Sequence, residues 1–253
     1  MTIRTGRPRV GEDATNINIG AAIRARRVQL GLSQVALSER VGVSFQQIAP
    51  GADNFRGFTC GLATTGTAWC WGANDLGQLG RGNRDIFLNP HPQPEPVSGT
   101  LIFSTLVAGL GDHVCGLTAA GAAYCWGSDE SGALGDGGGN ASLVPFAVPG
   151  EMAFEQLVTG GGYTCGLTSS SVAYCWGSNS SGQIGDGTLG GFPRRLVLVS
   201  GGHQFARLSA GYGHACGRTI GGIVYCWGSG RVGQLGIGYT TMSALPLKVS
   251  GQP

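Results

Sequence analysis

Eight cysteines stand in four pairs, Cys60/Cys70, Cys115/Cys125, Cys165/Cys175 and Cys216/Cys226, with nine residues between the members of each pair. Such pairs can close a disulfide, hold a metal ion or lie as buried thiols. His113 would add a third ligand to Cys115 and Cys125, but Phe58 and Tyr163 occupy the same position relative to two other pairs. The position therefore reads as an aromatic plug, and no two-residue cysteine spacing points to zinc. No metal and no cofactor are expected. The run Gly-Ser-Gly-Arg-Val-Gly at 228–233 has the glycine spacing of a dinucleotide loop, yet no helical pattern follows it. His91 and His203 stand apart from any paired carboxylate or nucleophile, and no nucleophile, base and oxyanion donors can be assembled into a catalytic site. Trp69, Trp71, Trp126, Trp176 and Trp227 could form a stacking rim for a ligand, although their recurrence at fixed positions favours core packing.

The elements that position these residues come from an internal repeat. One template aligns four times at offsets of 55, 50 and 51 residues: FQQIAPG with FTCGLATTGTAWCWGANDLGQLG, FSTLVAG with HVCGLTAAGAAYCWGSDESGALG, FEQLVTG with YTCGLTSSSVAYCWGSNSSGQIG, and FARLSAG with HACGRTIGGIVYCWGSGRVGQLG. A hairpin centred between the two cysteines sets them opposite one another. It also sets Phe58, His113, Tyr163 and His214 opposite glycines, and Trp69, Tyr124, Tyr174 and Tyr225 opposite Gly61, Gly116, Gly166 and Gly217. Each ring thus faces a residue without a side chain, a match that a one-residue slip would destroy. Gly66, Gly121 and Gly222 take the third position of a three-residue loop, where a left-handed residue is needed; the third repeat places Ser171 there, a source of mild strain.

Directly opposed strand residues lie close enough for a disulfide, and in a reducing compartment the same cysteines would be small buried apolar groups. Each repeat offers about four strand-like runs: the Phe-x-x-Leu segment, the two cysteine strands, and a later piece such as PEPVSG, VPFAVPG, RRLVLVSG or LPLKVSG. Four-stranded units at a period near 50 predict propeller blades. The expected fold is mainly β: a partial, about four-bladed propeller with a short N-terminal helical segment.

The pattern CGLT…G.AYCWGSN..GQLGDG resembles the regulator-of-chromosome-condensation repeat family, in its bacterial paired-cysteine form, over residues 45–253. The resemblance implies a β-propeller whose blades serve mostly as surfaces for protein binding, and, by analogy alone, a guanine-nucleotide-exchange activity. Family members typically have seven blades. Four blades of that wedge shape would leave the outer faces of the first and last uncovered, which predicts either self-association through the blade ends or a marginally stable open arc with the helical segment folded over the first blade.

Ahead of the repeats, Ile19, Ile23, Leu30, Leu32, Leu37 and Val41 fall broadly at helical spacing, with Ser33 as an N-cap. Ser44 and Gln47 form a capping-box pattern. Residues 17–48 resemble the lambda-repressor-like helix-turn-helix family, which would place Gln34, Ser44, Gln46 and Gln47 near phosphates or base edges. Pro50 cuts the third helix to barely one turn, and Phe45, Ile48 and Gly51 fall in register with the later repeats, so FQQI is assigned to the first blade. The expected domains are a disordered basic tail at 1–16, a truncated helical segment at 17–43, and repeats at 44–100, 101–151, 152–202 and 203–253.

Composition agrees with many short strands joined by tight turns: 48 of 253 residues are glycine and 12% are charged. The net charge of +2 conceals an asymmetry, with seven Arg against three acidic residues through Ala49. Nucleic-acid affinity, weak or absent in this reading, would therefore sit there. No secretory segment or membrane span is read, which suggests the cytoplasm, whereas the paired cysteines suggest an extracytoplasmic origin of the repeats. The expected function is a non-enzymatic protein-interaction module with an unknown protein partner, using the variable loops that follow each Gly-Gln-Leu-Gly segment. The alternative is a DNA-binding regulator with a propeller sensor.

Overall fold

A computed structural model describes residues 42–52, 57–85 and 91–252. The chain divides into two compact units, Met1–Ser44 and Phe45–Pro253. The helices expected over 17–43, with Gln34, fall in the first unit and lie outside the described residues.

Among the described residues the second unit has sixteen strands in four antiparallel sheets, each a contiguous stretch of chain with its strands in sequence order. The first blade is β1 (Phe45–Ala52), β2 (Gly57–Ala63), β3 (Ala68–Gly72) and β4 (His91–Pro96). The second is β5 (Phe103–Ala108), β6 (His113–Thr118), β7 (Ala123–Gly127) and β8 (Ser142–Ala147). The third is β9 (Phe154–Thr159), β10 (Tyr163–Thr168), β11 (Ala173–Gly177) and the two-residue β12 (Val197–Leu198). The fourth is β13 (Phe205–Ala210), β14 (His214–Thr219), β15 (Val224–Gly228) and β16 (Ser243–Lys248). FQQIAPG is thus strand, as its register with the later repeats requires. The outer strands begin two or three residues earlier than PEPVSG, VPFAVPG and LPLKVSG suggest. β4 carries three prolines among its six residues, which an outer edge tolerates because no further strand needs their missing N–H groups.

The Phe-x-x-Leu signature defies the two-residue period of a flat strand, and a bulge explains it. Phe103 pairs with Thr118 and Thr105 with Leu117, so one extra residue is accommodated between them. Phe103 and Leu106 consequently both point inward while Ser104 and Thr105 are exposed. The same shift occurs in the other three blades.

Cys60 lies opposite Cys70, Cys115 opposite Cys125, Cys165 opposite Cys175 and Cys216 opposite Cys226, all four pairs disulfide-bonded. The glycines opposite the rings have a different reason from the one expected. A Cβ on Gly61, Gly116, Gly166 or Gly217 would strike Phe45, Phe103, Phe154 or Phe205 of the neighbouring inner strand, not the opposed Trp or Tyr. Gly72, Gly127, Gly177 and Gly228 sit at φ between 98° and 107°, so their backbone itself needs glycine.

The apolar core lies between blades. The Cys60–Cys70 bridge, Leu62 and Leu79 pack with Phe103, Leu106 and Trp126 of the next blade. Cys115, Cys125 and Leu134 meet Phe154, Leu157 and Trp176 in the same way, and Cys165, Cys175 and Ile184 meet Phe205, Leu208 and Trp227. The inner strands follow suit, β1 packing on β5, β5 on β9 and β9 on β13.

Candidate functional site

Each junction between consecutive blades is held by the same three hydrogen bonds. The indole N–H of Trp126 donates to the Gln78 carbonyl at 3.1 Å, that of Trp176 to Ala133 at 2.8 Å, and that of Trp227 to Gln183 at 2.9 Å. The backbone N–H groups of Phe103, Phe154 and Phe205 donate to the hairpin-loop carbonyls of Gly66, Gly121 and Ser171. Those of Gly82, Gly137 and Gly187 donate to the carbonyls of Leu143, Arg194 and Ala244, on or just ahead of the next outer strand. The second glycine of each Gly-Gln-Leu-Gly segment clears room for the indole: a Cβ on Gly80, Gly135 or Gly185 would meet that ring within 2.9 Å. Three of the tryptophans are fully buried, so they form core and not a ligand-stacking rim.

Several polar groups inside the junctions bond across them. Thr164 donates its hydroxyl to the Ala133 carbonyl at 2.9 Å and therefore accepts from Nε2 of the fully buried His113 at 3.0 Å. Burial holds the His113 ring down to a pKa of about 4. Tyr163, at the same position one blade on, donates to the carbonyl of His214 at 2.5 Å, and burial raises its phenol above the usual range. Among the described residues no group of three or more His, Cys, Asp or Glu could hold a metal ion.

The loops beyond these shared segments differ from blade to blade. In the first, His91 contacts Asp85 at 2.6 Å and Arg81 at 2.8 Å, Arg81 also pairs with Glu95, and Asn74 donates to Asp85 at 2.9 Å. The hydrogen bond from Asn74, followed by that from His91, keeps the Asp85 carboxyl below its ordinary range. The expectation that His91 stands apart from any carboxylate is thus corrected. Both ring nitrogens are engaged, however, and no nucleophile adjoins them, so the group braces a loop. In the second blade Asp129 takes the place of Asn74 and Asn179. Its Oδ1 accepts from the Leu134 N–H at 2.8 Å, while Oδ2 is buried without a donor. Burial, together with the nearby Asp136 carboxylate, raises Asp129 to about 6. The third loop exposes Leu189 (60%) and Phe192 (52%).

An open recess of about 420 Å³ is lined by all four inner strands, with Gln47, Gln156 and Arg207 among its polar residues. Gln47 donates to the Leu106 carbonyl at 2.5 Å and accepts from the Leu106 N–H at 3.0 Å; Gln156 treats Leu208 likewise. Of the residues placed near nucleic acid by resemblance, Ser44 and Gln46 are exposed, Gln47 is engaged in this blade-to-blade clasp, and Gln34 is outside the described residues. His203 stacks on Tyr225 at 3.9 Å between ring centroids. The 228–233 glycine run leads into turns, not a helix. The clasp, the Arg81–Asp85–His91 network and the Asp129–Asp136 pair all escaped the sequence reading, for each joins residues that no local pattern links.

Two models of the regulator of chromosome condensation (RCC1) repeat match this chain, one over residues 154–183 and 205–234, the other over 65–117 and 221–253. The chain is 30% identical over 228 residues to the ultraviolet-B receptor UVR8 of Arabidopsis thaliana, covering 86% of this chain and 49% of the receptor. It is 32% identical over 88 residues to the E3 ubiquitin-protein ligase HERC2 of Homo sapiens, covering 35% of this chain and 2% of the ligase. Among solved structures, human WBSCR16 is similar with a TM-score of 0.71 at 21% identity, over 82% of this chain and 53% of that one. Yeast RCC1 (Prp20), solved bound to Kap60, is similar with a TM-score of 0.71 at 20% identity, over 83% and 49%. The chain spans about half the length of the receptor and of both structures. These likenesses identify the four sheets as blades of a β-propeller.

Proposed function

The chain carries regulator-of-chromosome-condensation repeats, and from that premise we propose that it is a non-enzymatic protein-interaction module whose partner binds the loops following the Gly-Gln-Leu-Gly segments. One observation carries this reading. The residues common to the repeats are consumed in disulfides, core and blade junctions, which leaves the loops at 81–85, 136–141, 186–193 and 237–242 as the parts that differ in sequence and face outward. They offer unlike chemistry: a charged network around Asp85, Arg194 and Arg195 against the backbone of 137–139, and an apolar pair at Leu189 and Phe192. Exposed apolar residues rimmed by charge are what a protein partner uses as anchors.

The test is capture of partners from a native lysate by the whole chain and by a Leu189→Ser, Phe192→Ser double variant. Loss of specific partners with the variant is expected; an unchanged set of bound proteins would overturn the loop assignment.

DNA binding is the second reading, motivated by the seven Arg against three acidic residues through Ala49 and by the exposure of Ser44 and Gln46. The engagement of Gln47 with Leu106 removes one base-reading candidate, so the expectation is weak, sequence-indifferent binding that falls steeply with salt. Titration of a duplex at two salt concentrations decides it: sub-micromolar, sequence-selective binding that survives moderate salt would overturn the expectation. Guanine-nucleotide exchange rests on the resemblance alone.

A further inference from the structure

The loop that leaves the third strand is built on one pattern in the first three blades. Asn74, Asp129 and Asn179 stand at matching positions, and Oδ1 of each accepts a backbone N–H, from Leu79, Leu134 and Ile184 respectively. The other polar atom of the side chain is thereby aimed into the loop. In the first blade it is Nδ2 of Asn74, which donates to the Asn83 carbonyl at 3.1 Å and to Asp85 at 2.9 Å. In the third it is Nδ2 of Asn179, which donates to the Thr188 carbonyl at 3.1 Å and to the Thr188 hydroxyl at 3.0 Å. That hydroxyl donates in turn to Asp186 at 2.7 Å.

The second blade keeps the acceptors and loses both donors. Asp129 replaces the amide, so an oxygen takes the place of Nδ2, and Gly138 replaces the threonine, so no hydroxyl bridges to Asp136, the counterpart of Asp186. Asp129 is fully buried, its Oδ2 has no hydrogen-bond partner, and the Asp136 carboxylate is near enough to oppose its ionisation. The Gly138 N–H holds Asp136 in place, donating to its Oδ1 at 2.6 Å. Arg194 donates to the Gly138 carbonyl and, among the described residues, forms no ion pair with either carboxylate.

We propose that Asp129 and Asp136 together bind a calcium ion, at the place where the third blade puts the Asn179 amide hydrogens and the Thr188 hydroxyl. Two carboxylates facing one another with no donor between them call for a positive charge. A proton shared by the two carboxyls is the rival occupant, which calcium must displace. Calcium suits these ligands better than magnesium, because it takes about six to eight oxygens in flexible geometry where magnesium demands a near-ideal octahedron. Two carboxylates are fewer than a dedicated metal centre uses, so water reaching the half-buried Asp136 completes the shell. Binding should accordingly be weak, with a dissociation constant of about 0.1 to 1 mM. A bound ion would tie the 136–141 loop to the body of its blade.

Calorimetric titration and thermal melts of the whole oxidised chain, freed of metal with a chelator and then given calcium chloride at fixed ionic strength, test the proposal. A single binding event is expected, with a rise of a few degrees in melting temperature at about 10 mM calcium. Asp129→Asn copies the side chain that the first and third blades carry at this position, so it should fold, and it should weaken calcium binding at least roughly tenfold. Asp136→Asn, which leaves the buried oxygen in place, should do the same. Asp186→Asn, at the matching position of the third blade, should respond like the parent. In chelator Asp129→Asn should be the more stable chain, and calcium should narrow that gap by acting on the parent alone. No heat and no shift in the parent up to about 10 mM calcium would overturn the proposal and leave the shared proton as the occupant. An undiminished response in Asp129→Asn or Asp136→Asn, or an equal loss in Asp186→Asn, would overturn it as well.

Discussion

Nε2 of His113 donates to the Thr164 hydroxyl at 3.0 Å, and that hydroxyl passes its own proton to the carbonyl of Ala133. The relay crosses from the second blade to the third and back, and only the neutral imidazole fits it, because a fully buried ring has no water to solvate its charge.

Stability should therefore fall on mild acidification. The His113 pKa is lowered from 6.5 in the unfolded chain to about 4 in the fold, so the unfolded state binds the extra proton first. This contribution is intact above pH 6.5, is lost progressively as pH drops towards 4, and is constant below. His113→Phe, which copies Phe58, should flatten that part of the melting-temperature profile. An unchanged slope in the variant would show that another group controls it.

Asp129 works in the opposite sense. Its pKa is raised from 3.8 to about 6, so its cost is absent below pH 3.8 and fully present above 6. Asn74 and Asn179 at the matching positions donate from Nδ2 to the carbonyls of Asn83 and Thr188, a bond that a carboxylate cannot make. Asp129→Asn should stabilise the protein at pH 7 by about 1 to 2 kcal/mol, with the gain vanishing near pH 4. Denaturant titrations at the two pH values measure it.

Ser171 holds φ at 65°, where the other three hairpins place glycine. Ser171→Gly should stabilise by about 0.5 to 1 kcal/mol, the left-handed penalty exceeding the extra chain entropy of glycine. Gly121→Ser should destabilise by more than that, because a Cβ there would also meet the Phe154 carbonyl oxygen at 2.8 Å. Thermal melts of the two variants should move in opposite directions.

Peptide mapping of oxidised protein without reduction should recover four local links, one per blade. A cross-blade link such as Cys70 to Cys115 would contradict the pairing. Reduction should cost about 2 to 3 kcal/mol for each eleven-residue loop reopened, and thiols shielded within the blades should resist alkylation until the chain unfolds.

The repeat, the hairpin register and the cysteine pairing were legible because they depend on neighbours within about a dozen residues. The spacing of Phe103 and Leu106 was visible as a signature, but not its cause, since a bulge is a property of two strands together. The role of the glycines opposite Trp69 and Tyr124 was misread for a related reason. Pairing tells which residues face each other, whereas the ring that fills the space above Gly61 or Gly116 comes from a third strand. The variable loops were legible only as differences: the sequence contains Arg81, Asp85 and His91 without any period to show that they converge.

Strands of each sheet follow one another along the chain, so a newly made segment of some fifty residues already holds both members of its cysteine pair and the turn that brings them together. Eight cysteines permit roughly a hundred complete pairings. Contact within a three-residue hairpin loop forms far faster than contact between distant parts of a chain. Oxidation during synthesis, one blade at a time, would then reach the native set without a search and with little call on an isomerase.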